Sequence, residues 1–176
     1  FFAELAPSSQ ALADGHFAAT NYPYKGPLYS IALVPVHALL APLGVGWYRA
    51  AVVLSLVASA LTLLVVHRLV RRLAGPRVAA AATLPTAVTK VFFIHAQKAC
   101  SDPLFVLLAL SALALLLTAA PRRRAWLAVG VLAGLAWLTR ESGIVVPVWA
   151  TFVLLLVDPD GLPRRRRAVA ALCVWA

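Results

Sequence analysis

Long apolar stretches separated by short polar ones run through most of the chain. The stretches that reach or approach the length of a membrane span are 48–67, 78–96, 103–120, 125–140 and 143–157, with a further one that occupies 168–176. A transmembrane helix needs roughly 17–25 predominantly apolar residues to cross about 30 Å of hydrocarbon. The pattern therefore predicts an all-α fold, a polytopic transmembrane helix bundle.

The first quarter of the chain has a different pattern. Residues 1–17 predict a short surface helix that Gly15 ends, with Pro7 as a candidate interruption and Leu5 turned toward the membrane surface. Residues 28–43 are apolar but short for a span, so they either lie along the outer interface or cross and leave Lys25 in the cytoplasm. We predict an outer loop with juxtamembrane helices over 1–47 and transmembrane helices over 48–176.

Composition excludes a water-soluble domain. Apolar residues make up 62% of the chain and charged residues 12%, whereas soluble domains have about 45–50% and about 25%. The chain has no methionine, opens on Phe1 and stops within an apolar stretch, so we interpret it as a fragment of one longer membrane domain. Its two cysteines, Cys100 and Cys173, have no metal-ligand spacing.

The basic residues indicate the topology. Eleven of the 16 fall into three clusters between apolar stretches: Arg68, Arg71, Arg72 and Arg77; Arg122–Arg124; Arg164–Arg167. Cytoplasmic loops carry such clusters, and none has the interleaved aromatics of a nucleic-acid site. With all three inside, 100–103 and 139–142 lie outside. The chain is then expected in a bacterial inner or plasma membrane, with no nucleic-acid partner.

Five of the eleven charged residues outside these clusters gather on the predicted outer face. They are Lys25, Lys98, Asp102, Arg140 and Glu141. An anionic lipid phosphate at a poorly hydrated interface is stabilised by such fixed cations, because electrostatic attraction strengthens as the dielectric constant falls. We therefore predict a polar site at the outer rim.

Structural roles compete with each functional one. Lys25 can anchor the interface beside Tyr24, Asp102 can cap the helix that follows it, and Arg140 can pair with Glu141 at a turn. Three further expectations give residues no functional role. Lys90 snorkels to the outer surface, His37 and His67 are interfacial or packing residues, and Gly130 and Gly134 form a close-approach pair for a neighbouring helix.

Several ordered motifs together resemble a known family. They are FAELA (2–6), YPYKGPLY (22–29), ACSDPLF (99–105) and RRRAWLAVGVLAGLAWLTRESG (122–143). Their order and spacing resemble the amino-terminal half of membrane glycosyltransferases with the C-type (GT-C) fold. These are the protein O-mannosyltransferases and lipid A aminoarabinose transferases, which use polyprenyl-phosphate sugars.

The resemblance implies an activity and a division of roles. A sugar would pass from a polyprenyl-phosphate donor to a hydroxyl on a protein, lipid or glycan, on the extracytoplasmic face, with a divalent metal as a possible cofactor. The main catalytic aspartate would precede residue 1, and Asp102 matches a second acidic residue. Lys25 takes the place of a basic residue beside the lipid phosphate, and Gly26 and Pro27 that of the proline pair after it, with glycine for the first proline. Tyr24 stands where some relatives have an acid.

Two other classes of function remain open from the residues. One is a transporter bundle whose outer polar groups line a substrate path, and the other is a non-catalytic assembly or export subunit. Transporters tend to have repeated halves with binding groups near mid-membrane. This chain has no internal repeat, and its isolated charges gather at one face.

Overall fold

The computed structural model describes residues 5–17, 26–118 and 123–156, and every regular element in these ranges is helical. The α-helices are α1 Leu5–Ala13, α2 Leu28–Leu40, α3 Trp47–Ala74, α4 Pro76–Val88, α5 Lys90–Ala96, α6 Asp102–Thr118, α7 Arg123–Thr139 and α8 Val145–Leu156. Short 3₁₀ turns cover Ala41–Leu43 and Glu141–Ile144. The predicted all-α bundle is confirmed, and the stretch at 168–176 lies outside the described residues.

Helix α3 is the one described helix that is long and apolar enough, by itself, to cross a membrane. Helices α4 and α5 meet the same criterion only as a pair, and their axes differ by 65°. The remaining apolar helices have 10–17 residues within the described part. Helix α3 also runs beyond the predicted 48–67, through the arginines that follow.

The predicted single span over 78–96 is instead broken at Thr89. Thr89 has extended backbone angles (φ −62°, ψ 128°), and its N–H bonds to the carbonyl of Thr86 rather than to that of Pro85. The Thr89 hydroxyl donates to the Pro85 carbonyl at 2.8 Å, so a side chain satisfies the acceptor that the backbone leaves. Pro85 itself supplies no N–H to the helix. Lys90 therefore begins a new helix and is exposed.

From α3 onward the chain passes back and forth between two ends of the bundle, with α4 and α5 together making one passage. Helix α3 turns into α4 at Gly75, which has a positive φ of 88°. Helix α6 runs parallel to α3: Ser55 bonds to Cys100 just before α6 begins, and Arg72 and Thr118, near the ends of the two helices, line one pocket. Helix α7 returns, since Arg140 at its end contacts Asp102. We call the end with residues 97–102 and 139–143 the Asp102 end, and the end with residues 68–72 and 118 the arginine end.

Helices α1 and α2 pack on the start of α3 through a buried cluster. Its members are Leu5, Tyr29, Leu33, Ala50 and Ala51. Leu5 is only 1% exposed, so its predicted orientation toward the membrane surface is wrong: α2 and α3 cover it. Pro7 does not interrupt α1, because it lies in the first turn, where no N–H is needed. Gly15, with φ 76°, follows the end of the helix as predicted.

Helix α2 contacts the first turns of α3 at two points along its length. The Tyr29 hydroxyl donates to the carbonyl of Ala51 at 3.2 Å, and the His37 ring stacks on Trp47 with centroids 3.8 Å apart. These points are separated by about 12 Å along α2 but only about 6 Å along α3. Helix α2 therefore crosses the start of α3 rather than running beside it, and His37 packs as expected.

Two glycines make close backbone contacts at the end of α7. A Cβ at Gly26 would overlap the carbonyl of Leu138, and a Cβ at Gly143 would lie 2.6 Å from the Cα of Trp137. No atom lies within 4 Å of a Cβ placed on Gly134. The predicted close approach at Gly134 is therefore absent from the described part, and the tight packing lies at the Asp102 end instead.

Candidate functional site

An ion pair between Asp102 and Arg140 forms the centre of the Asp102 end. The Arg140 guanidinium contacts one carboxylate oxygen of Asp102, and the other oxygen lies 3.4 Å from Nδ1 of His95. The Asp102 side chain is 30% exposed, that of Arg140 40% and that of His95 44%. At these exposures the groups are accessible to a ligand. An exposed ion pair contributes at most about 1 kcal/mol to stability.

Asp102 is held by the turn that joins α5 to α6. The Ser55 hydroxyl of α3 donates to the carbonyl of Cys100 at 3.2 Å, and the Cys100 N–H donates to the carbonyl of Lys98 at 2.9 Å. Helix α6 begins at Asp102, so Ser101 occupies the N-cap position that the sequence suggested for Asp102. The carboxylate lies in the first helical turn, where the helix dipole favours negative charge.

Arg140 is held by the end of α7. Thr139 is fully buried and its hydroxyl donates to the carbonyl of Leu135 at 2.8 Å. Arg140 itself is extended (φ −152°, ψ 144°), and its carbonyl accepts from the N–H of Gly143 at 2.8 Å. The N–H of Gly26 donates to the Thr139 carbonyl at 3.3 Å. The described segment that starts at Gly26 is therefore attached next to Arg140.

The structure brings some of the predicted site residues together and leaves others apart. Asp102 and Arg140 are in contact, whereas Glu141 is exposed, so the alternative Arg140–Glu141 pair is wrong. Lys98 is exposed in the turn before Asp102, and the Asp102–Arg140 ion pair of the described part does not include it. Lys25 and Tyr24 lie outside the described residues.

His95 and Cys100 are the site residues that the sequence argument did not single out. Both lie on the same side of the Thr89 break, and Cys100 donates from Sγ to the carbonyl of His95 at 3.7 Å. A straight helix over 78–96 gave no reason to place His95 beside Asp102. The sequence feature that could have indicated this contact is that His95 and Asp102 are only seven positions apart, with a turn between them.

A mainly apolar cavity of about 510 Å³ opens beside the ion pair. It lies between α3, α4, α5 and α6, and Asp102 and His95 form part of its wall. The remaining lining residues are apolar or carry hydroxyls: Ser59, Thr62, Pro85, Thr86, Thr89, Val91, Phe92, Pro103 and Val106. Apolar walls with a few polar groups at one place are typical of small-molecule sites.

Three side chains of this site could hold a divalent cation. One donor atom each from His95, Cys100 and Asp102 lies within 4.8 Å of the other two, and nitrogen, sulfur and oxygen donors suit zinc. The Arg140 guanidinium already contacts the same carboxylate, and its positive charge opposes a second cation there. The donor set therefore fits a metal only in competition with Arg140.

Comparison with known proteins gives one finding. A family model described as dolichyl-phosphate-mannose-protein mannosyltransferase matches residues 30–175. The match includes Asp102, Arg140 and every residue that lines the cavity. Nothing among the curated proteins or the solved structures matches the chain.

Proposed function

The chain belongs to the dolichyl-phosphate-mannose-protein mannosyltransferase family, and on that premise we propose that it transfers a sugar from a polyprenyl-phosphate donor to an acceptor hydroxyl. The family establishes a membrane glycosyltransferase of the mannosyltransferase type. One observation carries the finer proposal. The apolar cavity has room for isoprenyl groups, and the arginine beside it suits the phosphate to which they are joined.

Arg140 binds the donor phosphate in this proposal. The departing lipid phosphate gains negative charge in the transition state, and a guanidinium can contact two phosphate oxygens at once. The apolar cavity wall lowers the local dielectric constant, which strengthens this contact. His95 lines the same cavity next to Asp102, and we assign it as a further hydrogen-bond donor to the same ligand.

Lys25 and Asp102 have separate proposed roles. Gly26, the next residue after Lys25, bonds to Thr139 beside Arg140, which supports Lys25 as a second cation for the phosphate, with Tyr24 and Lys98 at the rim. Asp102 keeps Arg140 in position and orients the acceptor. Following the family resemblance, the general base that accepts the acceptor proton is an aspartate that precedes residue 1.

The proposed active site faces the extracytoplasmic side. Arg68, Arg71 and Arg72 lie at the opposite end of the bundle from Asp102, and basic residues mark the cytoplasmic side. The crossing of α2 over the start of α3 supports an interfacial position for 28–43 rather than a span. The same proposal assigns 1–47 to the outer surface and the protein to a bacterial inner or plasma membrane.

Cysteine labelling tests this orientation. In a full-length protein without its native cysteines, Ser142→Cys should react with a membrane-impermeant thiol reagent added to intact cells. Arg77→Cys should react only after permeabilisation, because it lies at the arginine end. Both positions are exposed, so accessibility within the protein is matched. The reverse labelling pattern would place the Asp102 end in the cytoplasm.

A bulky side chain in the cavity tests the donor site. Val106 lines the cavity and is 37% exposed, so Val106→Trp should fill the entrance without disrupting the core. We expect at least a tenfold loss in binding of a radiolabelled polyprenyl-phosphate sugar and a similar loss of transfer by the full-length protein. The loss of about 1.4 kcal/mol of binding free energy corresponds to that factor.

The matched control is Val131→Trp, at an exposed position on α7 that does not line the cavity. It should bind and transfer as the parent protein does. Equal donor binding by both variants would reject the cavity as the donor site. Donor binding without any transfer to protein, lipid or glycan acceptors would favour a non-catalytic member of the family.

A further inference from the structure

A second pocket, of about 560 Å³, lies between α3 and α6 at the arginine end. Its lining shares no residue with the cavity at the Asp102 end. Three arginines form one part of the wall: Arg68, Arg71 and Arg72. Apolar side chains and two hydroxyls form the rest: Val65, Leu69, Ser111, Ala114, Leu115 and Thr118.

The three arginines lack acidic partners within the described part of the chain. The one Arg or Lys ion pair described there joins Arg140 to Asp102, at the opposite end of the bundle. Arg71 and Arg72 follow Arg68 by three and four positions on one helix, a spacing at which like charges repel each other. All three are exposed, so an anion that enters the pocket meets guanidinium groups that pair with no carboxylate of residues 5–17, 26–118 or 123–156.

The position of the arginines along α3 matches the depth of lipid headgroups. From Trp47, at the start of the helix, to Arg68 the axial rise is about 32 Å. The hydrocarbon core of a bilayer is about 30 Å thick, and Trp and Tyr anchor helices at its surface. With Trp47 and Tyr48 at one interface, Arg68 reaches the headgroup layer of the other leaflet, and Val65 stays at acyl-chain depth.

We propose that this pocket binds an anionic phospholipid of the leaflet at the arginine end. The phosphodiester lies against the guanidinium groups of Arg68, Arg71 and Arg72, which can contact two of its oxygens at once. The upper acyl chain lies on Val65 and Leu115. Positive charge at headgroup depth and apolar groups directly below it match a phospholipid better than a free ion. The site is independent of the proposed sugar transfer.

Native mass spectrometry of the full-length protein in detergent tests this site. Phosphatidylglycerol is titrated against phosphatidylcholine with the same acyl chains, and the bound fraction of each is measured. We expect preferential retention of phosphatidylglycerol. In Arg71→Gln/Arg72→Gln that affinity should fall roughly 25-fold, at about fivefold for each basic residue near anionic lipid.

Arg77→Gln is the matched control, because Arg77 belongs to the same basic cluster and is exposed but does not line the pocket. It should retain the parent affinity. Equal binding of the two lipids, an equal loss in Arg77→Gln, or displacement by millimolar inorganic phosphate would each overturn the proposal. If the double variant does not fold, Arg72→Gln alone should lower the affinity for phosphatidylglycerol about fivefold. An unchanged affinity in that variant would also overturn the proposal.

Discussion

Arg140→Ala in the full-length protein should lower kcat/KM for sugar transfer by about 100-fold, the effect typical of removing one group that stabilises transition-state charge. The guanidinium contacts Asp102 beside the cavity. Its removal takes away the cation that faces the departing phosphate and leaves the Asp102 carboxylate without its guanidinium partner, so that its negative charge repels the phosphate. Arg140→Lys should recover part of the loss, because lysine keeps the charge but not the two-point contact.

Steady-state kinetics with a polyprenyl-phosphate sugar measure this effect. Arg49→Ala is the control, since Arg49 is also an exposed arginine but belongs to neither the cavity wall nor the ion pair. The double variant Asp102→Asn/Arg140→Ala no longer has the carboxylate charge that repels the phosphate. Its KM for the donor should therefore be lower than that of Arg140→Ala, while kcat stays low. Arg140→Ala with the kinetics of the parent protein would exclude Arg140 from the site.

Gly26→Ala should both destabilise the protein and reduce transfer. A Cβ at this position would overlap the backbone carbonyl of Leu138, so the segment must move away from α7 and lose its bond to Thr139. Overpacking of this kind costs about 1–3 kcal/mol. Because Arg140 follows Thr139 directly, we expect a loss of transfer of about tenfold or more, in line with small misplacements of catalytic groups.

Thermal unfolding in detergent and the transfer assay together check this prediction. Gly134→Ala supplies the same substitution on α7 where no atom lies within 4 Å of the new Cβ. It should leave transfer unchanged and stabilise the helix by up to about 1 kcal/mol. If Gly26→Ala unfolds at the same temperature as Gly134→Ala, the packing of residue 26 on α7 is incorrect.

Local sequence was sufficient to predict most of the helices. The apolar stretches at 103–120 and 125–140 correspond to α6 and α7 within two residues, and 48–67 predicts the start of α3 within one residue but its end seven residues too early. Helices form there because a backbone in hydrocarbon must satisfy its own hydrogen bonds. The described turns also alternate between the two ends, as the placement of the arginine clusters predicts. Lys25 and Tyr24 stay predictions, because they lie outside the described residues.

Long-range contacts determined what the local pattern did not reveal. Leu5 is buried because α2 and α3 cover it, which no pattern within residues 1–17 indicates. The close packing of α7 involves Gly26 and Gly143 rather than Gly134, since it depends on which segment meets the helix end.

The sequence by itself determined that this chain is an α-helical membrane protein, with Asp102 and Arg140 as isolated charges at the ends of apolar helices. Only the tertiary structure decided that Arg140 pairs with Asp102 instead of its neighbour Glu141, and that the break at Thr89 brings His95 to the same carboxylate. Hydropathy and charge act residue by residue along a chain. An ion pair depends on distances between atoms that the chain separates by tens of positions, and those distances exist only after the helices pack.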